Sequence, residues 1–188
     1  MAVRRTYRIV TLGCRVNHAE TREIESLLRS RGLERAARGQ SADLEVVHTC
    51  SVTTTAAAKS RHAVRRAGRR QTGRNPEVLV TGCYAGTNHE EAVGIVGSQA
   101  QVVAHEPDPG DGGSMIERVA RRVDRWLDRP PLATASPDAR SAIIPRPVVD
   151  PAPGTGRHVR AELRIQDGCD AHCTFCIIPA IRRTLRSK

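Results

Sequence analysis

Three of the six cysteines hold equivalent places in a recurring local pattern, each just after a short apolar run that reads as a β-strand. Their contexts are Thr11-Leu12-Gly13-Cys14, His48-Thr49-Cys50 and Thr81-Gly82-Cys83. The strand-like runs cover residues 7–12, 44–48 and 77–80, with a fourth at 101–104. Between them lie helical patterns. Residues 17–31 carry Ile24, Leu27 and Leu28 on one face and stop at Gly32, and Asn17 with Glu20 resembles a capping box. Residues 55–70 carry a stripe of Ala57, Ser60, Val64 and Ala67 among basic residues. Ser114-x-x-Glu117 opens a last helix through Val119, Val123, Trp126 and Leu127, and Pro130-Pro131 ends it. Strands alternating with helices imply an α/β fold with an open parallel sheet. In such a sheet, residues just past the carboxyl ends of the strands gather along one edge, where ligands bind. One cysteine there would read as a small buried hydrophobe. Three in equivalent places favour one shared site for Cys14, Cys50 and Cys83.

The other three cysteines are packed into eight residues, Cys169-x-x-x-Cys173-x-x-Cys176. Three thiolates so spaced hold three corners of one metal cluster and leave the fourth open to a ligand. Residues 129–158 separate the two regions. This stretch carries Pro130, Pro131, Pro137, Pro145, Pro147, Pro151 and Pro153, then Gly154 and Gly156, and reads as an extended linker with one short strand at 141–144. Residues 159–166 alternate like a strand that delivers the chain to Cys169. The expected organisation is therefore an α/β domain over 1–128, a linker over 129–158 and the start of a second domain over 159–188.

Composition narrows the chemistry. No apolar run is long enough for a membrane span, and residues 1–8 lack an apolar signal region, so a cytoplasmic location is expected. That compartment is reducing, which favours metal ligation over disulfides. Residues 1–75 hold 16 Lys and Arg against 6 Asp and Glu, and the remainder is balanced, so the net charge of +10 lies wholly in the first 75 residues. Such concentration points to an anionic partner, nucleic acid above all, or to a solvated arginine-rich face. Aromatics make up only 2% of the chain, so the core is built from Val, Leu, Ile and Ala and base stacking is disfavoured as a binding mode. No phosphate-binding glycine loop and no nucleophile–base arrangement is present. No residue of this chain is therefore assigned a catalytic acid, base or nucleophile role. An alternative without catalysis is a zinc- or iron–sulfur-binding nucleic-acid module, with His158 or His172 completing a Cys3His zinc set.

With both cysteine sets in view, the chain resembles the radical SAM methylthiotransferases. Cys169-Asp170-Ala171-His172-Cys173-Thr174-Phe175-Cys176-Ile177-Ile178-Pro179 is similar to their cluster loop, and Thr11-Leu12-Gly13-Cys14-Arg15-Val16-Asn17 to their first cysteine segment. The Leu-Gly-Cys-basic-Val-Asn wording is most similar to the branch acting on threonylcarbamoyladenosine (t6A) at position 37 of tRNA. The resemblance implies an N-terminal methylthiotransferase domain followed by a partial (β/α) barrel. It implies that Cys169, Cys173 and Cys176 hold a [4Fe–4S] cluster whose open iron binds S-adenosylmethionine and generates a 5′-deoxyadenosyl radical. Cys14, Cys50 and Cys83 would hold a second, auxiliary [4Fe–4S] cluster that presents the sulfur. A methylthio group then replaces hydrogen at C2 of the adenine. Phe175 is expected beside the bound S-adenosylmethionine. A tRNA anticodon loop and an electron donor protein are the implied partners.

Two local departures stand out. His48 precedes Thr49-Cys50 where the family commonly has Asn. After Pro179 the family usually has an aromatic and a Gly, whereas this chain reads Ala180-Ile181-Arg182-Arg183. Lys188 follows Cys176 by only 12 residues, and a complete eight-stranded barrel takes roughly 200 residues or more. The sequence therefore reads as the front of a methylthiotransferase, with a separate chain as one source of the remaining barrel. The polypeptide alone is expected to make no methylthio-adenosine. Mass spectrometry of nucleosides from tRNA incubated with the reconstituted chain checks this, and any product would refute it.

Overall fold

The computed structural model describes residues 5–70, 76–98, 101–106, 112–128, 164–171 and 173–187. Five parallel strands form one sheet: β1 (Thr6–Thr11), β2 (Glu34–Arg35), β3 (Leu44–Thr49), β4 (Glu77–Gly82) and β5 (Val102–Val103), in the order β2-β1-β3-β4-β5. The helices are α1 (Arg15–Ser30), α2 (Thr54–Arg70), α3 (Cys83–Thr87), α4 (His89–Val96) and α5 (Met115–Trp126). The expected α/β fold with an open parallel sheet is what forms. A small antiparallel pair, β6 (Gln166–Asp167) with β7 (Arg186–Ser187), and a short helix, α6 (Ile178–Ile181), make up the C-terminal part.

Alternation along the strands decides which helix packs where. Val46, Leu79 and Val103 face α1 and α5, joining Ile24, Leu28, Val119 and Val123 in one buried cluster. Their neighbours Val47, Val78, Val80 and Val102 face the other way and join Val64, Ala67, Tyr84, Ala92 and Val96 from α2, α3 and α4. The central strands are buried on both faces, which is why 44–49 contains no exposed position. On the first face, Arg31 clamps Asp124 with Nε at 2.7 Å and Nη2 at 2.9 Å, a two-pronged pair that fixes α5 on α1. The expected capping box at α5 is present: Ser114 Oγ accepts from the Glu117 amide, and Glu117 reaches back to the Ser114 amide.

Other expectations need correction. Helix α1 starts at Arg15 with Cys14 at its N-cap, so Asn17 lies inside the first turn and is not a cap. Asn17 and Glu20 form no capping box; both are fully buried. Cys83 directly follows β4, as expected, and is also the first residue of α3. Strand β2 and helices α3 and α4 have no counterpart in the sequence reading. Of the expected strand at 159–166, residues 159–163 lie outside the described residues, and the described remainder contributes only to the two-residue β6. The linker at 129–158 with its strand at 141–144, His158 and His172 also lie outside them. Among the described residues no helix is long and apolar enough to cross a membrane.

Leu28 is fully buried between α1 and the sheet. Leu28→Ala is expected to cost about 3 kcal/mol through lost burial and the cavity left behind. Urea unfolding followed by circular dichroism measures it, and a loss below about 1 kcal/mol would contradict the packing described.

Candidate metal centre

The strand order reverses direction between β1 and β3: β1 is followed by β2 on one side, and the chain then returns to place β3 on the other. This is the switch point at which open α/β sheets of this order bind ligands, outside the carboxyl ends of the strands. Cys14 leaves β1 and Cys50 leaves β3, so the two flank the switch point. Cys83 leaves the adjacent strand β4, where Gly82 lies in register with Thr49. Cys50 and Cys83 are buried and Cys14 is exposed, so the edge opens toward solvent on the Cys14 side.

Two glycines and two polar side chains fix this edge. Gly13 has φ +116, and a Cβ there would meet Cys50 Cβ at 2.5 Å and its Sγ at 2.8 Å. Gly82 has φ +97, and its Cβ would collide with the Thr49 carbonyl. Only glycine lets the chain turn at these points while the strand ends stay in contact. Asn17 donates from Nδ2 to the Leu12 carbonyl at 2.9 Å and the Thr49 carbonyl at 2.8 Å, tying the β1 and β3 termini together. Its Oδ1 lies 3.5 Å from Cys14 Sγ. Ser60 of α2 accepts from the Cys50 amide at 2.9 Å and donates to the Cys50 carbonyl at 2.7 Å.

Beneath the cysteine edge sits a buried carboxylate. Glu20 Oε2 lies 3.2 Å from His48 Nε2 and 3.8 Å from His105 Nε2. These three residues form a group whose ligand atoms all fall within 4.8 Å of one another. The cage is already filled by a cation of the protein itself. Arg182 places Nη1 at 2.8 Å from Glu20 Oε1 and Nη2 at 3.0 Å from Oε2. Arg164 adds Nη1 at 3.3 Å from Oε1. Desolvation by burial would raise the Glu20 carboxyl, but His48, His105 and Arg182 together hold it well below the usual range. Burial pushes His105 down to about 4, against the pull of Glu20, so it is neutral at pH 7. Arg118 positions this histidine by donating to the carbonyls of Ala104 and His105, both at 2.6 Å.

The second cysteine triplet lies on a segment docked against the same edge. Arg164 and Arg182 both reach Asp167 as well as Glu20, and Arg164 also pairs with Glu23 at 2.9 Å. Glu106 accepts from the amides of Arg183 at 2.6 Å and Thr184 at 3.1 Å. Arg182 is buried, and its Nη2 comes within 3.8 Å of Cys83 Sγ. Burial pushes the Cys83 thiol up to about 11, with Arg182 opposing the rise. Cys169 is half-buried, while Cys173 and Cys176 are exposed and joined by a turn in which the Cys176 amide donates to the Cys173 carbonyl at 3.1 Å. Phe175 is 92% exposed.

The donor set fits a sulfur-rich cluster better than a single ion. Thiolates are the ligands of iron–sulfur groups, and a cluster spreads its ligands over several irons. Among the described residues the group closed to single-ion spacing is Glu20–His48–His105, not either cysteine triplet.

A family model described as uncharacterized protein family UPF0004 matches residues 6–104. The threonylcarbamoyladenosine tRNA methylthiotransferase of Bacillus subtilis is 38% identical over 181 residues, covering 95% of this chain and 37% of the relative. The chain belongs to the methylthiotransferase family. The ribosomal protein uS12 methylthiotransferase of Chloroflexus aurantiacus is 28% identical over 187 residues, 97% of this chain and 40% of that relative. The tRNA-2-methylthio-N(6)-dimethylallyladenosine synthase of Erythrobacter litoralis is 31% identical over 180 residues, 95% of this chain and 37% of that relative. The chain thus spans about two fifths of the length of these curated relatives. The family match coincides with the five-stranded sheet and all three strand-end cysteines.

Sequence reasoning missed the residues that hold this edge in place: Glu20, Arg164, Arg182, Ser60 and His105. A signal for Glu20 was present. The buried stripe of α1 runs Asn17, Glu20, Ile24, Leu28, so two polar residues continue an apolar face at helical spacing.

The lowered Glu20 and His105 values act on stability with one sign. A group whose pKa falls on folding contributes fully above its unfolded value and loses that contribution as pH drops toward the folded one. For His105 the window runs from 6.5 down to about 4. For Glu20 it opens below 4.5. Stability of the metal-free chain is expected to decline as pH falls from 6.5 to about 4, and His105→Gln is expected to flatten that decline. Urea unfolding at stepped pH tests this; an equal slope in the variant would refute it.

Proposed function

We propose that this chain supplies the cluster-binding front of a tRNA methylthiotransferase that places a methylthio group on C2 of t6A at position 37. Cys14, Cys50 and Cys83 are the ligands of an auxiliary [4Fe–4S] cluster, and Cys169, Cys173 and Cys176 those of a second. When bound, the clusters and S-adenosylmethionine supply the radical and sulfur-donor chemistry. The observation that supports this reading is the docking, through Arg164 and Arg182, of the segments flanking Cys169, Cys173 and Cys176 beside the edge where the three strand-end cysteines emerge. A reaction that draws on two centres needs them on one face, and Arg182 and Arg164 tie the two segments there.

The protein's own groups then have defined tasks. Asn17 and Ser60 hold the backbone at Cys14 and Cys50. Cys14, the exposed member, leaves the auxiliary site open to an incoming base. Phe175, exposed beside Cys176, is assigned to pack near the bound S-adenosylmethionine. The domain boundaries 1–128, 129–158 and 159–188 accord with this assignment, as does action in the cytoplasm with an electron donor protein. The t6A branch is supported by the 38% identity to the Bacillus subtilis enzyme, against 28% and 31% for the two relatives named for other substrates. A tRNA partner also suits the exposed Lys59, Arg65 and Arg66 of α2, which leads directly away from Cys50.

Anaerobic reconstitution, with iron, sulfide and zinc counted per chain, tests the assignment. About eight irons are expected in the parent and about four when Cys169, Cys173 and Cys176 are all changed to Ala. Stoichiometric zinc without sulfide would replace this reading with that of a zinc-binding, nucleic-acid-binding module.

A further inference from the structure

Arg182 is a buried cation that touches both cysteine regions. Its Nη1 donates to Glu20 and to Asp167, each at 2.8 Å, and Asp167 lies two residues before Cys169. Its Nη2 faces Glu20 Oε2 at 3.0 Å, Asn17 Oδ1 at 3.5 Å and Cys83 Sγ at 3.8 Å. The Arg182 side chain is 5% exposed, so its field is little screened by solvent. The unusual Ala180-Ile181-Arg182-Arg183 stretch thus delivers a fixed donor to a sulfur atom 99 residues away.

We propose that Arg182 is a positioning residue of the N-terminal centre: it orients the Cys83 sulfur, sets the electrostatic environment of the group held there, and couples that centre to the docked segment of Cys169. This rests on reading Cys14, Cys50 and Cys83 as cluster ligands. A hydrogen bond to a ligand sulfur and a nearby positive charge both favour the reduced, more negative state of an iron–sulfur group, so both raise its potential. Glu20 has two roles in this arrangement. It anchors the guanidinium through both oxygens, and its negative charge limits the net field at the cysteines. Arg164 provides an internal control. It shares Glu20 and Asp167 with Arg182 and helps dock the same segment, but its described contacts are all with carboxylates.

The test uses residues 1–188 with Cys169, Cys173 and Cys176 changed to Ala, so that only the N-terminal centre assembles. Arg182→Gln, Arg182→Lys and Arg164→Gln are added singly, and the sheet fold of each is checked by circular dichroism. The midpoint potential is read by dye-mediated titration followed by electron paramagnetic resonance. Arg182→Gln is expected to lower the potential and alter the resonance. Arg182→Lys, which keeps the charge without the fork, is expected to fall between it and the parent. Arg164→Gln is expected to shift the potential less than Arg182→Gln does, while making residues 164–187 easier to cleave by protease. A cluster whose potential is unmoved by Arg182→Gln would overturn the proposal and leave the ligand assignment intact. Equal shifts for Arg182→Gln and Arg164→Gln would overturn it too, by reducing the effect to general docking. A parent that takes up no iron and sulfide would overturn the ligand assignment, and this proposal with it.

Discussion

A carboxylate removed from water must be met by positive charge or lose its own, and Glu20 of this protein is fully buried at the end of helix α1 nearest the cysteine edge. Two arginines of the C-terminal segment supply that charge, while His48 of the central strand and His105 from beyond the outer strand line the rest of the pocket. Burying an ion cluster seldom adds net stability over an apolar core, but removing one member of it costs about 3–5 kcal/mol. The cluster joins residues 164–187 to the sheet domain, with Arg182 and Arg164 both reaching Glu20. The same logic explains why a group with the ligand types and spacing of a metal site holds a guanidinium instead.

The sheet topology places the cysteines, and the polar contacts refine them. Because β1 and β3 are neighbours across the switch point, Cys14 and Cys50 are brought together by strand pairing alone. Their backbone paths depend on Gly13, Asn17 and Ser60, each of which touches the strand ends or Cys50 directly. Cys83 depends on Gly82 for its entry into α3 and on Arg182 for its surroundings. The family match over residues 6–104 covers this framework, whereas Arg164 and Arg182 come from beyond it.

Much of this was legible in the sequence. Strand and helix periodicity located the sheet and the three longer helices packed on it, because α1, α2 and α5 have a clear apolar stripe and the central strands are continuous apolar runs. The edge position of the three cysteines followed from that alternation. The short α3 and α4 escaped notice since Cys83 to Val96 contains two helices broken at Asn88, neither long enough to show a period. Asn17 and Glu20 were misread for a different reason. Their spacing matches a capping box, and only the tertiary partners distinguish a cap from a buried polar pair. Arg182 was visible as a departure from the family wording, but its partner lies 162 residues away, a distance over which no local pattern carries information.

That separation also has a consequence in time. Chains fold from the N-terminus as they are synthesised, so the sheet with Cys14, Cys50 and Cys83 emerges from the ribosome well before Arg182 exists. During that interval the Cys83 end of the edge is uncovered and Glu20 lacks its two arginine partners. Synthesis of residues 164–187 then covers the Cys83 end. The order of translation thus gives a period of access to Cys83 before its cover is made.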